Sequence, residues 1–131
     1  MLLPDISDYL TSGGVTASIY LGKEPPDPPT CLVLYEIPGR AAPHGMTNLA
    51  GQAAVEQPGL RVVSRSDSYA TARLNADAAW KLLDGLPTRV INNCQYHWGM
   101  ARESPYGIGR DEQDRPHLAC NYDVIKALST G

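Results

Sequence analysis

Four prolines occupy five positions in Pro25-Pro26-Asp27-Pro28-Pro29, with the apolar runs ASIYLG before them and TCLVLYEI after. Proline fixes φ and removes a backbone donor, so the tract must run extended and outside any hydrogen-bond ladder. The flanking runs are too short to fold separately, which makes the tract a rigid joint inside one core and not an interdomain linker. A ligand for a proline-reading domain belongs in a disordered segment, whereas this tract is anchored at both ends. A chain of 131 residues is long enough to bury a core, and one domain spanning 1–131 is expected.

Apolar periodicity places the elements around that joint. Residues 5–12 set Ile6, Tyr9 and Leu10 on one helical face, and Gly13-Gly14 ends the helix. Residues 15–21 and 31–37 read as strands; the second is apolar on both faces, hence central, and Pro38-Gly39 stops it. The segment 38–58 shows no sustained period and reads as a long loop inside the domain, of the kind that usually carries function. In residues 59–66, Leu60 and Val62 alternate with Arg61, Val63 and Arg65, as in a strand wet on one side.

Residues 68–86 carry the strongest helical signal. Tyr69, Ala72, Ala76, Ala79, Trp80, Leu83 and Leu86 recur at three- and four-residue steps. Ser66 or Asp67 caps the start, Gly85 and Pro87 mark the end, and Asp77 pairs with Lys81. Residues 88–100 read as one long strand, SPYGIGRDEQDRP as a wide turn, and 117–124 as the closing strand. The fold class is therefore α+β: a mixed, mainly antiparallel sheet of four to five strands, one long helix on one face and a short N-terminal helix. Val33, Tyr35, Leu60, Val62, Tyr69, Ala72, Ala76, Trp80, Leu83, Val90, Cys94, Leu118 and Tyr122 form the expected core.

The net charge of −3, without a block of like charges, argues against a protein that wraps duplex DNA through its phosphates. MLLPDISDYL has neither a basic region nor a long apolar stretch, so no export and no membrane role are expected. Cys31, Cys94 and Cys120 are odd in number, widely spaced and without a CxxC, which suits buried thiols better than disulfides or zinc. Cys94 and His97 lie three apart on a strand and so face opposite sides of the sheet. His117 near Asp111 and Asp114 is the one seed for a hydrolase-like alternative, yet the spacing matches no ligand pattern. Gly107-Ile108-Gly109 is too short to cradle a phosphate. No catalytic residue, cofactor or metal is expected, and the chain reads as a protein that works through its surfaces. A module reading peptides through PPDPP is the least favoured alternative.

Three stretches then carry a family resemblance. IYLGKEPPDPPTCLVLYEIPG gives a short strand, a glycine, a proline-and-aspartate joint and a second strand. GLRVVSRSDSYATA gives an apolar strand, an arginine and a Tyr-Ala entry to the helix. YHWGMARESPYGIGRDEQDRPHLACNYDV closes the order with a proline and glycine stretch, an aspartate, a turn, an arginine and a last strand. Over residues 5–128 this arrangement resembles the minor capsid or tail-terminator family of tailed bacteriophages.

The resemblance implies a structural virion protein of the tail and neck, assembled in the host cytoplasm. It implies a hexameric ring that caps the tail tube and joins it to a head-completion or stopper protein. Genomic DNA would pass through the lumen without being specifically bound. A closed ring needs a head-to-tail contact between two different patches. Arg61, Val63 and Arg65 are the candidates for one patch, Asp77 and Asp84 for the other. Arg40, His44, Met46 and Leu49 mark a candidate partner-docking loop. A head-completion or adaptor protein of the same neck is the nearest alternative.

Overall fold

The structure, a computed structural model, describes residues 1–40 and 55–127. The chain forms α1 (Leu2–Ser12), β1 (Ser18–Leu21), β2 (Cys31–Arg40), β3 (Val55–Arg65), α2 (Tyr69–Leu83), β4 (Arg89–Ile91), β5 (Cys94–Ala101), β6 (Tyr106–Arg110) and β7 (Pro116–Ala127). The strands build one seven-stranded sheet in the order β1-β2-β3-β7-β5-β4, with β6 pairing β7 beside β5. β1 and β2 are parallel, and the pairings of β2 through β7 are antiparallel. The α+β class therefore holds, but the sheet has seven strands and not four or five. The two helices, of 11 and 15 residues, differ less in length than expected.

The extra strands have local causes. Asn92 and Asn93 take φ of 51° and 64°, a left-handed pair that asparagine tolerates, and fold 88–100 into the β4–β5 hairpin instead of one strand. The stretch around Gly107-Ile108-Gly109, expected as turn, is strand β6; a bulge between Gly107 and Gly109, the latter at φ 112°, lets it follow β7. β2 continues through Pro38 and Gly39 because a register shift between Ile37 and Arg40 takes the proline out of the ladder. Strand thus occupies both ends of the segment expected as loop.

Register divides the sheet into two faces. Leu34, Val62 and Cys120 are cross-strand neighbours on one face; Val33, Val63 and Ala119 are neighbours on the other. Both helices cover the first face. Ile6 and Leu10 of α1, with Ala79 and Leu83 of α2, share a core with Leu34, Leu60, Val62 and Tyr122. Each fully buried leucine there contributes roughly 2 kcal/mol. Alanines at 72 and 76 let α2 approach closely enough for Ser64 Oγ to donate to the Ala72 carbonyl at 2.7 Å. α1 is fixed by a buried polar link: Tyr96 Oη donates to Asp5 Oδ2 at 2.7 Å and Asn92 Nδ2 to Asp5 Oδ1 at 3.1 Å. Burial, and then the Asp5 carboxylate, push the Tyr96 phenol well above its ordinary pKa.

Five expected core residues are not fully buried. Tyr69 opens α2 and Val90 lies on the short edge strand β4, so both are exposed; Tyr35, Trp80 and Cys94 are half-buried. The α2 cap is Ser68, whose Oγ accepts from Thr71 N at 3.4 Å, and not Ser66 or Asp67. Asp77 pairs one turn back with Arg73, at 3.4 Å, and not forward with Lys81.

Candidate functional site

The proline tract returns from the end of β1 to the start of β2, and two arginines hold it. Proline lacks an N–H but keeps its carbonyl, so the tract is rich in acceptors and poor in donors; arginine is a donor only. Arg65, at the end of β3 and 1% exposed, donates from Nη1 to Glu24 Oε1 at 2.8 Å and to the Pro25 carbonyl at 2.6 Å. Its Nη2 donates to the Pro28 carbonyl, and its Nε to that of Pro29 at 3.2 Å. Arg115, before β7, donates from Nη1 to the Pro26 carbonyl at 3.0 Å and from Nε to Asp111 Oδ2 at 2.7 Å. All four proline carbonyls of the tract thus accept from a guanidinium.

His117 completes the clamp. Its Nε2 lies 2.6 Å from Glu24 Oε1 and its Nδ1 lies 3.0 Å from the Arg115 carbonyl. Both ring nitrogens are thus engaged within the clamp. The histidine therefore joins Glu24 and not Asp111 or Asp114; Asp114 is exposed and sits by Arg110 at 3.5 Å. Burial works to raise the Glu24 carboxyl, but hydrogen bonds and charge from His117 and Arg65 outweigh it and hold the pKa below its ordinary value. At Asp111 desolvation also opposes; hydrogen bonds from the Arg115 backbone and side chain and the Gln113 backbone prevail and lower the pKa to about 2.

Glu24, Asp111 and His117 could offer three metal ligand atoms within 4.8 Å of one another, beside an open cleft of about 330 Å³. Both carboxylates already face guanidinium groups at hydrogen-bond distance. The arrangement fits a charge-balanced lock on the strap better than a cation site.

The residues expected at the two patches of a ring contact differ in exposure. Arg61 is half-buried, its Nε donating to Asn121 Oδ1 at 2.8 Å. Val63 and Arg65 are buried, which corrects the reading of a wet strand face. Val63 lies in a cross-strand row between Val33 and Ala119, with Tyr20 and Tyr106 at its two ends, and the proline strap covers Arg65. Asp77 lies on α2, on the opposite side of the sheet. Asp84 closes the α2 end by accepting from Ala101 N at 3.0 Å. Arg40 ends β2 and is exposed; His44, Met46 and Leu49 lie outside the described residues.

The helix-free face also carries apolar bulk. Trp98 stands opposite Ile125 and Met100 opposite Asp123. With Arg40 and Gln57 they line a depression of about 500 Å³. Among the described residues, no helix is long and apolar enough to cross a membrane.

The described residues thus form a seven-stranded sheet with two helices on one face and a proline strap held by two arginines. The chain belongs to the bacteriophage tail terminator protein family, whose model matches residues 9–128. Among solved structures, a chain of the virion of a native gene transfer agent particle aligns at a TM-score of 0.67 and 15% identity, over 97% of this chain and 95% of that one. A second solved chain aligns at a TM-score of 0.54 and 13% identity, over 98% of this chain and 92% of that one. At these identities the likeness is one of fold. No curated protein matches. Membership of this family makes the protein a structural component of the phage tail and neck.

Proposed function

We propose that the protein caps the end of the phage tail tube as a hexameric ring and joins the tube to a head-completion or stopper protein. It is assembled in the host cytoplasm and carried in the virion, with genomic DNA passing through the lumen unbound. The observation that carries this reading is the family match across residues 9–128. The net charge of −3 agrees with a lumen through which DNA slides, since fixed positive charge would hold it.

The molecule supplies what a ring subunit needs. Its helix-free sheet face, with Arg61 and the apolar bulk of Trp98 and Met100, differs from its helix side, where Asp77 lies. Two different faces are the requirement for a head-to-tail contact that closes. The clamp on the proline strap serves as internal bracing of that subunit, and no step of chemistry is assigned to it. The segment carrying His44, Met46 and Leu49, entered from Arg40, serves as a docking element.

Electron microscopy of the protein mixed with its polymerising tube protein tests the reading. A terminator gives tubes of limited length with an extra disc at one end. Uncapped tubes of unlimited length would reject it in favour of an adaptor elsewhere in the neck.

A further inference from the structure

Among the described residues, β1 pairs only with β2 and β6 only with β7, so each has one side without a strand. Such an edge presents N–H and C=O groups that another chain can complete. All five residues of β6 are exposed, Tyr106 by 39% and Ile108 by 47%, and no proline or lysine interrupts the strand. At four and five residues both edges are short, which blunts pairing between free subunits and leaves it to copies held side by side.

Register makes β1 and β6 the two ends of the same cross-strand rows. Tyr20 pairs with Val33, Val33 with Val63, Val63 with Ala119 and Ala119 with Tyr106. Ile19, Leu32, Ser64, Leu118 and Gly107 make the adjoining row. The strand senses agree as well. β1 and β2 are parallel, and three antiparallel pairings lead from β2 to β6, so β6 runs opposite to β1. Rotation about an axis along the strands keeps their sense, which sets β6 of one copy antiparallel to β1 of a neighbour. The third edge, β4, has three residues and lies level with Tyr96 and Lys126, away from the rows of β1.

We propose that, in the assembled ring, β6 of each copy pairs with β1 of the next, so that one sheet runs from subunit to subunit. The proposal rests on the ring reading above and names the two halves of its head-to-tail contact. With the rows continued level, Tyr106 stands opposite the next copy's Tyr20 on the helix-free face, and Gly107 opposite its Ile19 on the helix side. A cross-strand aromatic pair favours this register. Gly107, with nothing within 4 Å of where a Cβ would stand, leaves room for the isoleucine. Within one chain the two tyrosines are four strand spacings apart, roughly 19 Å, and cannot meet.

The test combines Tyr20→Cys with Tyr106→Cys in one chain and oxidises rings formed on tube ends. Level antiparallel partners hold their Cα atoms about 4.5–5.5 Å apart, within disulfide reach. A non-reducing gel is expected to show a ladder of covalent oligomers ending at the hexamer. A mixture of the two single variants should stop at dimers. Either single variant alone, like the wild type with its three free cysteines, should stay monomeric on the gel. Melting curves confirm that the variants fold. Hydrogen exchange of the wild type needs no substitution: ring formation should slow amides in 18–21 and 106–110 about tenfold. Rings of folded double variant without the ladder overturn the proposal and leave the ring reading standing. Wild-type rings whose edge amides exchange as fast as in the free subunit do the same, as do dimers from one single variant alone. Absence of rings on tube ends, seen by electron microscopy, overturns both.

Discussion

Arg65 spends its guanidinium on three proline carbonyls and the Glu24 carboxylate while buried to 1% exposure. Removing one partner of a buried charged network leaves the others unsatisfied, which costs more than the net worth of the network. Arg65→Met is therefore expected to lose about 3–5 kcal/mol in urea unfolding. Arg65→Lys should recover little of this, because a compact ammonium cannot span acceptors spread around a planar fork. Full recovery by lysine would show that charge alone matters there. The same clamp sets an acid limb. Glu24 is depressed from an ordinary value of 4.5, its hydrogen bonds to His117 and Arg65 prevailing over burial; Asp111 is depressed from 3.8 to about 2. A depressed carboxyl contributes stability that is complete above its unfolded pKa and lost as pH falls through the folded one. The melting temperature should therefore begin to fall near pH 4.5 and keep falling toward pH 2. Glu24→Gln should flatten the upper part of that limb and Asp111→Asn the lower. An unchanged limb in both variants would remove the clamp from the account of acid stability.

The joint between α2 and β5 is built around Gly99. The amides of Gly85 and Leu86 both donate to its carbonyl, at 2.9 and 3.1 Å. A Cβ there would lie 2.9 Å from Leu86 Cβ and 3.2 Å from the Leu83 carbonyl. Gly99→Val is expected to cost about 1–3 kcal/mol by overpacking, whereas Gly107→Ala in β6, with open space around it, should stay within about 0.5 kcal/mol. Urea unfolding of the pair checks both. Elements of this kind were unequally legible in the sequence. The α2 period and the alternation of β7 could be read because burial on one face imposes it: Ala72, Ala76, Leu83, Leu118 and Tyr122 are all buried as expected, whereas β3 buries Val63 and Arg65 as well and does not alternate. Asn92-Asn93 was itself a readable turn signal, obscured by the apolar residues on either side. β6 was hidden because glycines in a bulged strand look like turn. The clamp was out of reach, since Glu24 lies 41 positions from Arg65 and Pro26 lies 89 from Arg115. Its one local sign was a donor-poor proline run in a chain with arginines to spare.

At the scale of the whole molecule, the sheet separates two unlike surfaces, and the proposed head-to-tail ring contact needs two different patches. Arg65 is buried within its own chain, whereas Asp84 is exposed while accepting from Ala101 N at 3.0 Å. Of the charged residues first considered for a ring contact, Arg61 on the helix-free face and Asp77 on α2 give one oppositely charged pair to test. Among the described residues Asp77 pairs with Arg73 at 3.4 Å, an exposed pair worth well under 1 kcal/mol, so its reversal should hardly disturb the fold. If the two meet across the ring contact, Arg61→Glu and Asp77→Lys should each weaken rings, and the double variant should restore them. The loss should shrink as salt is raised, since added salt weakens the attraction between exposed charges. Sedimentation of rings formed on tube ends, across a salt series, gives the readout. Rings unaffected by either reversal would move the contact away from these charges, and additive losses without rescue would show that the two residues act apart.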